Sequence, residues 1–415
     1  MARELKLMFC VAAAAFSLAS CADAGRQKHD IHPFVQKLMT DTSCVEYKIL
    51  QGYSEKDRMG SIAIVGEYLE AIRLADFFAV SDDFDNIDAS FRADGIPDFA
   101  GERFEVLLDD ANKPYKGYVD AGNNLFLREL MIRNAVSMLD STCYGNAYDA
   151  VSSDAKNPAK ALVFSSVSYS PEVIADMDTL LKFKGIDIPV MYLPVSSVRH
   201  VFDSIKDISS VGVIADLDVA ASGVYGELFR NFSMKSGYLA PVRNVIFSPE
   251  GDGPADKLKE FIRMYADAGY REPLDAIIID DVLLASGIDT MYSALREMIS
   301  ANSEEGALYA SVIAPDFRFI DPAKCVADDL FRELRSDNSM ALRIAYPQFE
   351  FFLTVFSPEF MMQNGSSDVS DKIKYGRAYD SGDNTVKMVR LSRRHVGKNE
   401  MAVLDSLAPN IKINF

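Results

Sequence analysis

The sequence predicts an α/β fold in which helices cover a parallel sheet. The first observation is that short apolar segments alternate with segments of helical periodicity from Gly60 onward. Strands that alternate with helices in this way form parallel sheets with right-handed crossovers. The second is the stretch 160–169, a continuous apolar run that breaks into serines and is followed by Ser170-Pro171-Glu172. It indicates a buried strand, a loop and a capped helix. In an open α/β sheet, such a loop is where ligands bind.

The remaining elements follow from apolar runs and helical spacing. Pro171 in the first turn and Gly185 just past the end bound one helix, as capping preferences require. Buried strands are predicted at 61–65, 104–108, 188–193, 210–215, 244–247 and 276–279. Helices are predicted at 68–78, 125–139, 171–184, 223–235, 255–268 and 289–299.

The N-terminal segment has the pattern of an export signal. Arg3 and Lys6 precede an apolar run, which ends in Leu18-Ala19-Ser20-Cys21. This arrangement resembles a bacterial lipoprotein signal, with residues 1–20 removed and Cys21 lipidated. An ordinary signal with an incidental cysteine is the alternative. We therefore expect residues 21–59 to be a polar leader and the protein to be lipid-anchored in the cell envelope, on the periplasmic or surface side of a bacterial membrane.

Charge and cysteine content limit the possible partners. A formal net charge of −18 argues against nucleic acid, because a nucleic-acid site needs clustered Lys and Arg. With Cys10 removed and Cys21 lipidated, three cysteines remain, and we predict a disulfide between Cys44 and Cys143. Cys325 would then be a buried thiol. The His and Cys spacing suggests no metal site, and no cofactor is expected.

Several segments match, in order, the motifs of a known family. Asp110-Ala111-Asn112-Lys113-Pro114-Tyr115 is similar to Asp-Thr-Ala-x-x-Pro-Tyr-Gly, and 160–169 falls where Lys-Ala-Leu-Val-x-Ala-Cys-Asn-Thr-Ala is found. Further matches lie at 188–190, 211–215, 222–228, 275–284, 319–327 and 351–360. In this order, over residues 60–365, the chain resembles the aspartate/glutamate racemase family.

The resemblance implies two Rossmann-like parallel-sheet domains that face each other across a crevice. Domain A would comprise 60–195 plus 286–365, domain B 196–285, and 366–415 would be a C-terminal extension. The family's chemistry needs no cofactor. One cysteine on each side of the substrate α-carbon removes or returns the proton, a task that suits thiols because their pKa is about 8.5.

When the family's motifs are carried over residue by residue, the groups that perform this chemistry are missing from the sequence. The first Cys-Asn-Thr falls on Ser166-Val167-Ser168, and the second Gly-Cys-Thr-His falls on Asp280-Asp281-Val282-Leu283. An Asp-Ser pair falls on Gly66-Glu67. A serine hydroxyl needs an adjacent base, and an aspartate is a weak base unless burial raises its pKa. We therefore expect the architecture to survive without the racemase reaction.

Three interpretations of function stay open. The first is a lipid-anchored racemase-like protein that has lost amino-acid racemase activity and acts as a small-ligand-binding or interaction module. The second is an enzyme of altered acid–base chemistry that uses Asp281 with Ser166 or Glu67. The third is a type-I periplasmic solute-binding lipoprotein, which would require an aromatic-lined cleft.

The candidate ligand-binding residues lie on loops after predicted strands. They are Asp110, Pro114, Tyr115, Ser165, Ser166, Ser168, Asp280 and Asp281. The serines and aspartates are also common helix caps, so a purely structural role is open for each. With Glu67, the two adjacent aspartates would bring three carboxylates to the crevice, and Lys116 is the nearby cation that the motifs supply. Clustered carboxylates favour a bound cation, so we expect a cationic or polyhydroxylated ligand, or Ca²⁺, and no binding of glutamate.

Overall fold

The computed structural model describes residues 30–53, 59–342, 345–364, 369–379, 385–396 and 398–411. They form two α/β domains, each built on a parallel sheet, so the predicted fold class is confirmed. The signal segment 1–20 and Cys21 lie outside the described residues. Within the part of the chain that is described, no helix is long and apolar enough to cross a membrane.

The strands are β1 (Ser61–Gly66), β2 (Arg103–Leu108), β3 (Thr142–Cys143), β4 (Asp154–Ala155), β5 (Ala159–Phe164), β6 (Val190–Tyr192), β7 (Ser210–Ile214), β8 (Arg243–Phe247), β9 (Leu274–Ile279), β10 (Ile313–Ile320), β11 (Gln348–Phe356) and β12 (Val386–Arg390). The helices are α1 (Pro33–Thr40), α2 (Val45–Gly52), α3 (Tyr68–Val80), α4 (Lys116–Asp120), α5 (Asn124–Leu139), α6 (Glu172–Lys184), α7 (Leu193–Ser204), α8 (Leu217–Ser222), α9 (Val224–Lys235), α10 (Pro254–Asp267), α11 (Val282–Ala285), α12 (Ile288–Ser300), α13 (Glu304–Ser311), α14 (Pro322–Ser336), α15 (Pro358–Gln363), α16 (Asp371–Tyr375) and α17 (Lys398–Leu407).

Domain A contains a six-stranded sheet in the order β12-β11-β2-β1-β5-β6. Every neighbouring pair is parallel except β11 with β12, which is antiparallel. Alternate residues of β1 enter opposite cores: Ile62 and Ile64 pack with α3 and α14, whereas Ala63 and Val65 pack with α5 and α6. Because a strand that is buried on both faces needs apolar residues at every position, its sequence is an unbroken apolar run, and β1 is therefore clearly predicted.

Domain B contains a parallel sheet in the order β10-β9-β7-β8, again with an apolar core on each face. The chain leaves domain B and re-enters domain A at a later residue than the sequence predicts. Strand β10 pairs with β9, so residues up to Ile320 belong to this sheet, and the boundary predicted at 286 is wrong. Residues 286–320 carry α12 and α13, whose apolar faces pack into the core of domain B.

Two segments predicted as appendages are part of domain A. The prediction of a polar leader is wrong for residues 30–52, because α1 buries Phe34, Val35 and Leu38 and α2 buries Leu50 in the same core as α5 and α6. The predicted C-terminal extension is wrong for β12, which completes the sheet by pairing with β11, and for Leu404 at the end of the chain, which is buried against α3. Both segments carry apolar residues that cover core faces otherwise open to water.

The predicted disulfide is also wrong. Cys44 and Cys143 are free and buried thiols in the structure, as is Cys325. The Cys44 thiol donates a hydrogen bond to Glu46 Oε2 at 2.9 Å. Cys143 pairs with Asp154 in the β3–β4 hairpin. Burial raises the pKa of both thiols to about 11, so neither is a ready thiolate.

Candidate functional site

The crevice between the two domains is formed by the carboxyl ends of their central strands. Ser165 and Ser166 follow β5 in domain A, and Asp280 and Asp281 follow β9 in domain B. Residues from both groups line one cavity of about 80 Å³. The polar residues that end these strands therefore converge on one site, as predicted for the switch point of such sheets.

The close approach of β1 and β5 depends on a glycine. Gly66 ends β1 directly beside the serine loop, and a Cβ at this position would overlap the Ser165 side-chain oxygen. The Glu67 backbone N–H then donates to Ser166 Oγ at 3.2 Å. Gly66 thus allows the first turn of α3 to lie against the serine loop. A larger residue would push the two apart.

Glu70, which the sequence interpretation did not identify, is the main carboxyl of domain A in the cavity. It lies in the first turn of α3 and accepts a short hydrogen bond from Ser166 Oγ. Burial raises the pKa of Glu70 well above its usual range, and repulsion from Glu67, Asp281 and Asp280 adds to the shift. The Ser166 hydrogen bond opposes it. Glu70 therefore keeps its proton to a higher pH than an exposed glutamate does, and in that form it can donate a hydrogen bond to a ligand.

Glu67 faces away from the cavity toward the loop that precedes α4. Its Oε1 accepts a hydrogen bond of 2.8 Å from the Tyr115 backbone N–H. Burial raises the pKa of Glu67, and this hydrogen bond lowers it. Because its carboxylate is already engaged there, Glu67 positions the loop and does not line the cavity.

Asp280 is the main carboxyl of domain B. Its Oδ1 accepts hydrogen bonds from Ser168 Oγ, at 2.9 Å, and from the buried Tyr225 hydroxyl. Burial raises the pKa of Asp280 to about 7, while these two hydrogen bonds, which favour the charged form, lower it. Ser168 belongs to domain A, so this hydrogen bond crosses the crevice. The site thus contains a carboxyl that changes charge near neutral pH.

Asp281, by contrast, is a helix cap. Its Oδ1 accepts hydrogen bonds from the Leu283 and Leu284 backbone N–H groups at 2.7 and 3.1 Å. This is the ordinary role of an aspartate at the N-cap of a helix. Asp281 lies at the cavity wall, but its hydrogen bonds serve α11, so the predicted acid–base role is better filled by its neighbour.

Three residues predicted to bind ligand lie away from the cavity. Tyr115 is fully buried and its hydroxyl donates to Asp109 Oδ2 at 2.7 Å. Asp110 forms an ion pair with Lys113, and Pro114 is exposed. None of the three lines the crevice cavity. The tyrosine that does reach the site from domain B is Tyr225.

Further polar contacts hold the two domains together beside the cavity. The Tyr169 hydroxyl of domain A donates to Asp216 Oδ2 of domain B at 2.7 Å. Lys116 of domain A forms an ion pair with Asp218 of domain B. Together with the Ser168–Asp280 hydrogen bond, these contacts close the crevice, which explains why the cavity is small.

The charges around the cavity are mostly negative. Four carboxyl residues line it, namely Glu70, Asp216, Asp280 and Asp281, and Lys257 is the one basic residue among the described lining residues. None of these lining residues is a cysteine, and Tyr169 is the single aromatic one. The aromatic lining expected of a solute-binding cleft is thus not seen. Among the described residues, no group of three or more His, Cys, Asp or Glu side chains could hold a metal ion, so the Ca²⁺ alternative finds no geometric support.

Comparisons with known proteins give similar folds and no family. No family model matches the sequence, and no curated protein matches it. Similar solved structures include a glutamate racemase from Francisella tularensis, with 13% identity, 78% of this chain and 96% of that chain covered, and a TM-score of 0.40. A glutamate racemase isoform from Bacillus anthracis has 12% identity, coverage of 75% and 93%, and a TM-score of 0.42. An aspartate racemase homologue from Pyrococcus horikoshii has 8% identity, coverage of 66% and 98%, and a TM-score of 0.35.

Proposed function

We propose that this chain is a small-ligand-binding protein that takes up a polar, cationic ligand in its inter-domain crevice. The observation that carries the proposal is the convergence of Glu70, Asp216, Asp280 and Asp281 on one cavity with Lys257 as the basic lining residue. A cation placed there would meet oxygen atoms from both domains. A dicarboxylate such as glutamate would instead meet like charge.

Protonation affects both the stability of this carboxyl cluster and its binding of a cation. Burial raises the pKa values of Glu70 and Asp280, so both carboxyls hold their protons to a higher pH than exposed ones, and the protonated forms reduce repulsion within the cavity. A bound cation would stabilise the ionised carboxyls and displace these protons. Binding should therefore release protons and strengthen as the pH rises through about 7, the value to which burial raises the pKa of Asp280.

We propose in addition that the chain does not racemise amino acids through paired thiols. Ser166 and Asp281 stand where the racemase-like motifs have their cysteines. In this chain the Ser166 hydroxyl is bound to Glu70, and Asp281 caps a helix. Incubation with glutamate or aspartate in heavy water should leave the α-proton unexchanged, as followed by proton NMR. Deuterium uptake with the wild type but not with Ser166→Ala would contradict this part.

The binding proposal can be tested by isothermal titration calorimetry. Methylammonium, putrescine and arginine serve as cationic probes, glucose as a polyhydroxylated probe, and glutamate as the excluded one. Titrations at pH 6.5, where Asp280 still holds much of its proton, in two buffers of different ionisation enthalpy give the number of protons released. We expect at least one cationic probe to bind with proton release, and Asp280→Asn to weaken it and abolish most of that release.

A matched control is Asp178→Asn, because Asp178 is an exposed carboxylate outside the crevice, paired with Lys182 on α6. It should bind like the wild type. Glutamate binding, or a cation affinity that Asp280→Asn leaves unchanged, would refute the proposed ligand class.

A second candidate is an enzyme that uses Asp280 and Glu70 as acid and base. The observation in its favour is the pKa of about 7 for Asp280, which suits proton transfer at neutral pH. Such an enzyme would convert its substrate at a rate whose pH dependence is set by the ionisation of Asp280. Ser168→Ala removes a hydrogen bond that favours the ionised form and should move that dependence to higher pH, whereas a pure binding protein would show no turnover.

We also propose that the protein is lipid-anchored through Cys21 in the bacterial cell envelope, on the strength of the signal-like sequence before it. Cys21→Ser should move the protein from the membrane fraction to the soluble fraction. Mass spectrometry of the wild-type N-terminal peptide should show the added lipid. A variant that stays membrane-bound after a salt wash, with no lipid on the wild type, would contradict the anchor.

A further inference from the structure

The described chain begins with an arm that is docked on domain A. This N-terminal arm, residues 30–52, contains α1 and α2 and buries Phe34, Val35 and Leu38 against α5 and α6. The Arg133 guanidinium lies over the Phe34 ring, 4.1 Å from its centroid. These contacts fix the arm to the body of domain A.

His32 connects the arm to both helices beneath it. Its imidazole is buried, with 1% of the residue exposed. Nδ1 accepts a hydrogen bond of 3.0 Å from the Phe34 backbone N–H, which caps α1, and Nε2 lies 2.9 Å from the Leu125 carbonyl oxygen at the start of α5. A carbonyl can only accept and the capped N–H can only donate. The docked arm therefore requires neutral His32 with its proton on Nε2.

The charged groups that face His32 are already paired with each other. Asp176 on α6 accepts two hydrogen bonds from Arg128 on α5, at 2.9 and 2.7 Å, and one of 3.1 Å from the His32 backbone N–H. A proton added at Nδ1 would remove the acceptor that caps α1 and bring a donor against the Phe34 N–H. It would also place a buried positive charge beside Arg128. The Asp176 carboxylate attracts that charge but is already neutralised by the arginine.

We propose that docking of the N-terminal arm is pH-sensitive and that protonation of His32 releases it. This inference is independent of what the crevice binds. Because the arm lies between the body and Cys21, release would lengthen the connection to the proposed anchor by about 20 residues, or about 70 Å when fully extended. That consequence alone rests on the proposed anchoring.

The direction and size of the effect follow from linkage. Burial lowers the pKa of His32, with repulsion from Arg128 adding to the shift, while the Leu125 hydrogen bond and Asp176 oppose it. A group whose pKa is lowered by docking stabilises the docked state above its free pKa of about 6.5 and loses that contribution as the pH falls. Between pH 7.5 and 5.5, one proton taken up on release increases the opening equilibrium by up to about tenfold.

Hydrogen exchange followed by mass spectrometry tests this directly on the full chain. Protection factors, which correct for the pH dependence of the chemical exchange rate, are compared at pH 7.5 and 5.5 for peptides covering residues 33–52. We expect protection in the wild type to fall several-fold, up to about tenfold, while peptides from β1 and β5 change little. His32→Asn should show no such fall, because an asparagine oxygen can cap the helix and does not titrate in this range.

His395→Asn is the matched control. The pKa of His395 is also lowered by burial, but this residue lies near the C-terminus, where it interacts with Ser392. It should keep the wild-type pH response of the arm. If His32→Asn prevents docking altogether, NMR titration of the wild-type histidines decides: a His32 pKa at or above 6.5 would overturn the proposal. The proposal would also be overturned if the protection of the arm did not change with pH, or if it fell equally in His32→Asn.

Discussion

Asp280→Asn is expected to stabilise the protein at neutral and alkaline pH. The substitution removes the charge but keeps a side-chain oxygen that can accept hydrogen bonds from Ser168 and Tyr225. In the unfolded chain the carboxyl ionises near 3.8, whereas burial raises its pKa in the folded protein to about 7. The folded state thus binds more protons between these values, so stability falls as the pH rises through that window.

The magnitude follows from the size of the pKa difference. A shift of about three units corresponds to at most about 4 kcal/mol of stability that is present at pH 4 and lost by pH 8. The Asp280 side chain is half-buried rather than fully enclosed, so solvent screening reduces this contribution to about 1–2 kcal/mol. The variant should therefore match the wild type at pH 4 and exceed it by about that amount at pH 8.

Urea unfolding at pH 4, 6 and 8 measures the difference. Circular dichroism is the appropriate signal, because the sequence contains no tryptophan. Tyr225→Phe provides a second test, since loss of a donor that favours the ionised form should raise the Asp280 pKa further. A variant that is equally destabilised at all three pH values would show that Asp280 is an ordinary structural residue, and would refute the electrostatic argument.

Two further predictions concern buried groups of domain A. Cys44 and Cys143 should both be alkylated after denaturation without reductant, and a disulfide-linked peptide in the digest would contradict the structure. Lys156→Met should destabilise the fold by about 3–5 kcal/mol, because it leaves the Glu105 carboxylate, 3.2 Å from the ammonium group and fully buried, without its cation. Lys182→Met, which breaks an exposed ion pair, should have little effect on the urea midpoint.

The central strands could be predicted because local sequence determines them. Strand β5 is an apolar run that ends in serines, and its observed bounds, Ala159–Phe164, begin one residue before the predicted stretch 160–169 and end inside it. The arm and the C-terminal strand could not be placed in the same way. Pro33–Thr40 carries Phe34, Val35 and Leu38 at helical spacing, but a short amphipathic segment after an export signal does not show which surface it covers. The same holds for β12, whose five residues gain their partner, β11, only in the fold.

The site was predicted in location but only partly in its residues. Ser165, Ser166, Ser168 and Asp280 reach the cavity because strand ends in a parallel sheet share one edge. Glu70 was missed because it follows Glu67 by three residues on a helix, and sequence does not reveal which of two acids one turn apart faces the crevice. The available signal was its position in the first turn after the first strand.

The adjacent pair Asp280 and Asp281 shows why site chemistry requires the fold. The Asp280 backbone N–H still belongs to the ladder and donates to the Ile214 carbonyl at 2.9 Å, so its side chain projects across the crevice to Ser168. One residue later the chain turns into α11, and Asp281 becomes the cap. Asparagine is an equally good N-cap, so Asp281→Asn should preserve this helix, whereas Asp280→Asn changes the charge state of the cavity. Comparison of the two variants therefore separates the structural acid from the one to which we attribute the proposed preference of the crevice for cations.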